Sequence, residues 1–195
     1  RALLEVPPGE PLPGDRIEAV KMGTTVATNA LLERKGEPTC LFITRGFRDA
    51  LRIGYQNRPR LFDRHIVLPE LLYTAVREID ERLDAHGNVV LPLDVESARV
   101  VLRDAFEQGY RACAIVLMHA WREPVHEREV ARLARAAGFT QVSVSLEVSP
   151  LMKLVGRGDT TVVDAYLSPI LRRYVDRVAS ELGSDTTGAP TAGRT

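Results

Sequence analysis

Three residues able to do chemistry stand where apolar runs stop. Arg45-Gly46 follows TCLFIT, His119 follows ACAIVLM, and Glu147 closes QVSVSLEV. A guanidinium can grip a phosphate or carboxylate through two parallel N–H bonds. An imidazole can act as a general base near neutral pH. A carboxylate fixed at a strand tip can orient an attacking nucleophile, or hold Mg2+ through water. Each also has a purely structural reading. Arg45 suits a surface salt bridge and His119 a hydrogen-bonded strand end. Glu147 suits a helix N-terminal acid or an ion pair with Arg157. A fourth place is VKMGTTVATNALLERKG, residues 20–36, where Gly23, Thr24 and Thr25 form a strand-to-helix corner. Helix N-termini carry unpaired N–H groups and a positive dipole end, so such corners can bind anions. Equally, Gly23 makes a turn and a threonine caps a helix.

The elements that must position these residues alternate. Strands are expected at 17–22, 39–46, 112–120 and 141–148, and helices at 26–35, 47–54, from Asp94 to Gly109, and from Pro124 to Gly138. The runs TCLFITRG and ACAIVLMHA are continuously apolar, the pattern of strands covered on both faces. Val95, Ala98, Leu102 and Ala105 recur at helical spacing, as do Val130, Leu133, Ala134 and Ala137. Residues 73–94 read as two strands around a turn at His86-Gly87-Asn88. A final helix is expected over 159–182, capped by Asp159 and kinked or broken at Pro169. Residues 55–69 form a long loop without periodicity, where Arg58 could meet a substrate carboxylate or simply be solvated. His65, His86 and His126 read as loop, turn and helix-surface residues without metal-ligand spacing. The pattern predicts an α/β fold with a largely parallel or mixed sheet and flanking helices. Ligands in such sheets bind beyond the carboxyl ends of the strands, which selects Gly23-Thr24-Thr25, Arg45-Gly46, His119 and Glu147.

Composition narrows the function. The 195 residues are 45% apolar and 27% charged, with 26 lysines and arginines balancing 26 aspartates and glutamates. A neutral chain does not fit a nucleic-acid or membrane-surface binder. No apolar run approaches the ~20 residues of a membrane helix, and no secretory signal pattern opens the chain. Cys40 and Cys113 lie in apolar runs and read as buried, reduced thiols, consistent with a cytoplasmic protein. Residues 1–16 read as a Pro/Gly-rich linker, 17–182 as one incomplete lobe, and 183–195 as a disordered tail.

MGTTVATNALLERKG, FITRGFRDALRIGYQNRPRLFD and DAYLSPILRRYV together resemble the hydantoinase A/5-oxoprolinase family, over about residues 17–180. The resemblance implies an ATP-dependent enzyme that opens a cyclic amide, with Mg2+ neutralising a phosphoryl group passed to the amide oxygen. It implies part of the first lobe of an actin-like fold, as in sugar kinases and heat-shock ATPases. By that analogy Glu147 is the residue nearest Mg2+ or the attacking group. Gly23-Thr24-Thr25 would face substrate or phosphate, with Asn29 orienting the corner. The family's Asp-x-Gly-Gly-Thr phosphate hairpin is not in this sequence, so the chain is expected to be inactive alone and to bind no ATP or Mg2+. A hydantoinase B-type subunit or domain is the implied partner, and a homo-oligomer is possible. Alternatives are a non-catalytic subunit-interaction lobe, and an acetone carboxylase-type or sugar-kinase-type phosphotransferase lobe.

Overall fold

The apolar runs become strands buried on both faces, and the amphipathic stretches become the helices that cover them. The computed structural model describes residues 23–56 and 70–181 continuously, together with 5–7, 19, 21, 62, 64, 65 and 68. The elements are α1 (Val26–Leu32), β1 (Thr39–Thr44), α2 (Ala50–Ile53), β2 (Tyr73–Ile79), β3 (Arg82–Leu83), β4 (Val89–Leu91), α3 (Val95–Glu107), β5 (Ala112–Val116), α4 (Val125–Ala137), β6 (Gln141–Val144), α5 (Ser145–Val148) and α6 (Leu154–Glu181). A four-stranded sheet has the order β2-β1-β5-β6, and every pairing in it is parallel. The expected strand at 17–22, the linker, Arg58 and the tail lie largely or wholly outside the described residues.

Alternate strand residues feed two cores. Cys40, Phe42, Cys113 and Ile115 face α3 and α4, where Leu102, Val130 and Ala134 meet them. Leu41, Ile43, Ala114 and Val116 face the other way, toward Leu51 of α2 and Val162 and Ala165 of α6. The period-2 geometry of a strand divides its residues in this way. Cys40 and Cys113 are register neighbours and free thiols. Burial pushes the Cys40 thiol up to about 12. Asp94 caps α3 as expected, its Oδ1 accepting from Ser97 N–H at 3.0 Å. Outside this sandwich α1 lies against α6. Their approach at Gly36 leaves no room for a side chain, since a Cβ there would fall 2.0 Å from the Tyr166 ring.

Three expectations are corrected. Residues 73–94 do not form one hairpin: β2 joins the main sheet beside β1, and only the short β3 pairs antiparallel with β4. The strand expected over 141–148 stops at Val144, and Ser145–Val148 is a helical turn. The final helix begins at Leu154, so Asp159 sits inside it and caps nothing. Of the kink or break expected at Pro169, the break does not occur, since the helix runs through that residue. An interior proline costs ~3 kcal/mol, and the burial of Val162 and Ala165 against the sheet works against that cost.

Candidate functional site at the strand tips

The connection out of β1 leads to β2 at one side of the sheet, and the connection out of β5 leads to β6 at the other. β1 and β5 are neighbours, so their carboxyl ends border a topological switch point, the place where open α/β sheets form a crevice. Arg45-Gly46 leaves β1 there, and Met118-His119 follows β5 there.

The two tips are joined through Thr44, whose hydroxyl oxygen accepts from Met118 N–H at 2.8 Å and whose hydroxyl donates to Glu81 Oε1. Arg45 Nε lies 2.6 Å from Asp80 Oδ1, with the guanidinium side chain 68% exposed. The pair lacks hydrogen-bond alignment, because Asp80 Oδ1 has no hydrogen-bond partner. Gly46 has φ 89°, a left-handed conformation natural to glycine, and its N–H donates to Glu78 Oε1 at 2.7 Å. His119 has φ 60°, which is uncommon for a residue with a side chain and clusters at functional sites. Its carbonyl accepts from Arg122 N–H and Glu123 N–H at 2.9 and 3.2 Å, closing the turn, while its ring is half-buried.

Glu147 lies after β6, one strand beyond the switch point. It occupies the helical turn α5 and is exposed. It does not pair with Arg157, which is fully buried. Thr24 Oγ1 accepts from Val26 N–H at 3.1 Å, and Asn29 Nδ2 donates to Thr25 Oγ1 at 3.4 Å. These bonds brace the start of α1 from within. The helix that follows the corner packs on α6, the corner itself is exposed, and no hydrogen bond among the described residues joins Gly23, Thr24, Thr25 or Asn29 to the strand tips. The structure therefore brings Arg45, Gly46 and His119 together, with Glu147 on the same edge.

Beneath these exposed groups runs a buried polar network, which the sequence analysis did not find. His126, expected on a helix surface, is buried instead, and its Nδ1 lies 2.8 Å from Glu81 Oε2. The carboxylate of Glu127 accepts from Leu117 N–H at 2.9 Å, the Ser145 hydroxyl at 2.6 Å and Leu146 N–H at 3.0 Å. One α4 side chain thus ties the tip of β5 to the start of α5. It also explains why residues 145–148 turn helical: a buried carboxylate receives the free N–H of their first turn. Burial still holds the Glu127 carboxyl above its usual range, against these donors and the nearby Arg157 charge. Arg157 donates to the carbonyls of Leu117 and Leu151. Its burial lowers the guanidinium's affinity for its proton. His126 and Glu127 fall four and three residues before Val130, so the helical period itself placed them on the inner face of α4. Arg157 had no comparable local signal.

The fit to a nucleotide and a metal is incomplete. Gly46 N–H is taken by Glu78 and Arg45 faces Asp80. No group of three or more His, Cys, Asp or Glu among the described residues could hold a metal ion. Glu147 offers an exposed carboxylate at the edge, and a metal there would need other ligands from water or from phosphate oxygens. No helix among the described residues is long and apolar enough to cross a membrane.

Comparison with known proteins adds a lineage. The Hydantoinase/oxoprolinase N-terminal region family matches residues 1–138. The chain is 40% identical over 200 residues to 5-oxoprolinase 1 of Arabidopsis thaliana, covering 93% of this chain and 16% of that protein. It thus spans about a sixth of that relative's length. The ATP-dependent caprolactamase of Pseudomonas jessenii superposes with a TM-score of 0.73 at 34% identity, over 84% of this chain and 25% of that one. A nucleotide-free acetone carboxylase superposes with a TM-score of 0.67 at 24% identity, over 82% of this chain and 25% of that one, a likeness of fold.

Proposed function

The chain belongs to the hydantoinase/oxoprolinase family, and from that membership we propose that it serves in an ATP-dependent hydrolase that opens cyclic amides. The observation that carries this reading is the shared likeness, above 30% identity, to a 5-oxoprolinase and to a caprolactamase. The two relatives are named for different rings with one chemical problem in common. An unstrained amide is a poor electrophile. Phosphoryl transfer from ATP, with Mg2+ bound, turns the amide oxygen into a leaving group.

This chain's own residues act around that step. Arg45 and Gly46 bind an anionic group at the mouth of the β1/β5 crevice, once Asp80 and Glu78 release them. His119 takes a proton from the attacking water as general base. Glu147 orients that water, or holds Mg2+ through one. Gly23, Thr24, Thr25 and Asn29 form a second anion-facing corner, and Arg58 meets a substrate carboxylate. The nucleotide's remaining contacts come from outside this chain, which alone is inactive and holds neither ATP nor Mg2+. A hydantoinase B-type subunit or domain completes the enzyme, in the cytoplasm.

Lactam-dependent ADP formation tests the reading. The complete product of the gene that encodes this chain is expected to release ADP when 5-oxoproline or caprolactam is added, and the 195-residue chain is not. Steady phosphate release by the chain alone, above a Glu147→Gln control, contradicts the assignment of inactivity. No lactam dependence in the complete product contradicts the reaction.

A further inference from the structure

Glu147 rides on a support too short to hold itself. Ser145–Val148 is one helical turn. A single turn fixes several dihedrals for one hydrogen bond, so it does not persist alone. Two fully buried charges from other elements seat it. The Glu127 carboxylate of α4 takes its front, accepting from the Ser145 hydroxyl at 2.6 Å and from Leu146 N–H at 3.0 Å. The Arg157 guanidinium of α6 takes the chain just beyond it, donating to the Leu151 carbonyl at 3.1 Å. Both charges are anchored on one residue at the tip of β5. Leu117 N–H donates to Glu127 at 2.9 Å, and the Leu117 carbonyl accepts from Arg157. His119 follows two residues later.

The two ends of this clamp are not equally secure. The tip of β5 has further holds, since Arg157 takes the Leu117 carbonyl and Thr44 takes Met118 N–H. The turn is held at Leu146 N–H, the amide next to Glu147, by Glu127 itself. A charged acceptor forms shorter and stronger bonds than a neutral one, which suits a support that must not drift. We infer that Glu127 is a positioning residue for Glu147: it seats the helical turn against the tip of β5 and so sets the Glu147 carboxylate relative to His119. The inference rests on the roles proposed for those two residues, and it adds a third residue that never touches substrate.

Glu127→Gln tests it in the complete gene product. The substitution keeps the side chain's size and one acceptor oxygen. That oxygen serves the two donors now at Oε1, and the amide NH2 then meets Leu146 N–H donor to donor. Hydrogen exchange at Leu146 is expected to rise about 10-fold or more, the worth of a hydrogen bond to a charged group, with Leu117 unchanged. The kcat for lactam-dependent ADP formation is expected to fall about 10-fold at unchanged KM, since a misplaced reacting group loses rate steeply. Added to Glu147→Gln, the same substitution is expected to lower kcat by less than about 2-fold further, because the group it seats is already gone. A merely structural role predicts the same loss in both backgrounds. Ser145→Ala removes one donor and is expected to repeat the pattern at about 3-fold; it decides by the same readings if Glu127→Gln shifts the urea midpoint. Unchanged exchange at Leu146, or an equal loss of kcat with and without Glu147, overturns the inference. Wild type without lactam-dependent ADP formation removes the proposed reaction, and exchange at Leu146 then decides the seat by itself.

Discussion

The carboxyl edge of the sheet has two halves of opposite character. The lower half, Thr44, Glu81, His126, Glu127 and Arg157, is buried, charged and closely bonded. The upper half, Arg45, Gly46, His119 and Glu147, is exposed or half-buried and holds a single close ion pair. Burying charge is expensive unless every lone pair finds a donor. The lower half meets most of that demand by fixing strand tips to one another, and only Arg157 Nε among these groups is buried without a partner. The upper half keeps side chains free to meet something else. Residue types that look equally catalytic in sequence are thus divided by burial into groups that hold the fold and groups left at the surface.

Arg157→Ala should show the largest effect. It strands the Leu117 and Leu151 carbonyls and leaves Glu127 without its cation. Urea unfolding is expected to report a loss of about 3–5 kcal/mol, the usual consequence of breaking a buried charged arrangement. Thr44→Val comes next: it removes the donor to Glu81 and the acceptor for Met118 N–H. The expected loss is about 1–3 kcal/mol. A change under half a kcal/mol in either would erase the distinction between the halves.

Glu127 sharpens the comparison through pH. Its folded-state pKa is raised, burial outweighing its hydrogen bonds. The folded state therefore keeps this proton to higher pH than the unfolded chain does. Stability from this carboxyl is fully present below the ordinary glutamate value of 4.5 and falls as pH rises through the raised one. The stability of wild type minus that of Glu127→Gln should decline as pH increases across that window. An increase would mean that the hydrogen bonds win. The smallest effect belongs to the upper half. Arg45→Ala should cost at most about 1 kcal/mol, since exposed ion pairs contribute little, and a larger cost would move Arg45 into the structural group.

The parallel sheet was legible because buried runs such as TCLFIT and ACAIV carry no polar interruption. Helix ends were legible where a local signal sets them, as with Asp94. Long-range partners set the elements that were misread. Ser145–Val148 turned helical because Glu127 reaches it from α4. β2 joined β1 rather than β4 because its pairing is decided across the sheet. Arg45, Gly46 and His119 could be placed on one edge from strand ends alone. The setting of the Gly23-Thr24-Thr25 corner could not, since it depends on how α1 packs on α6. His126 and Glu127 were readable from the period of α4.

The division of the edge meets its most direct test in turnover. Glu147→Gln and His119→Gln in the complete gene product should each lower the kcat for lactam-dependent ADP formation by about 10²-fold or more, the usual worth of a positioned acid or base. Their urea midpoints should match wild type. Unchanged kcat in both variants, or a loss that tracks a shifted midpoint, would contradict the assignment of chemistry to the exposed half.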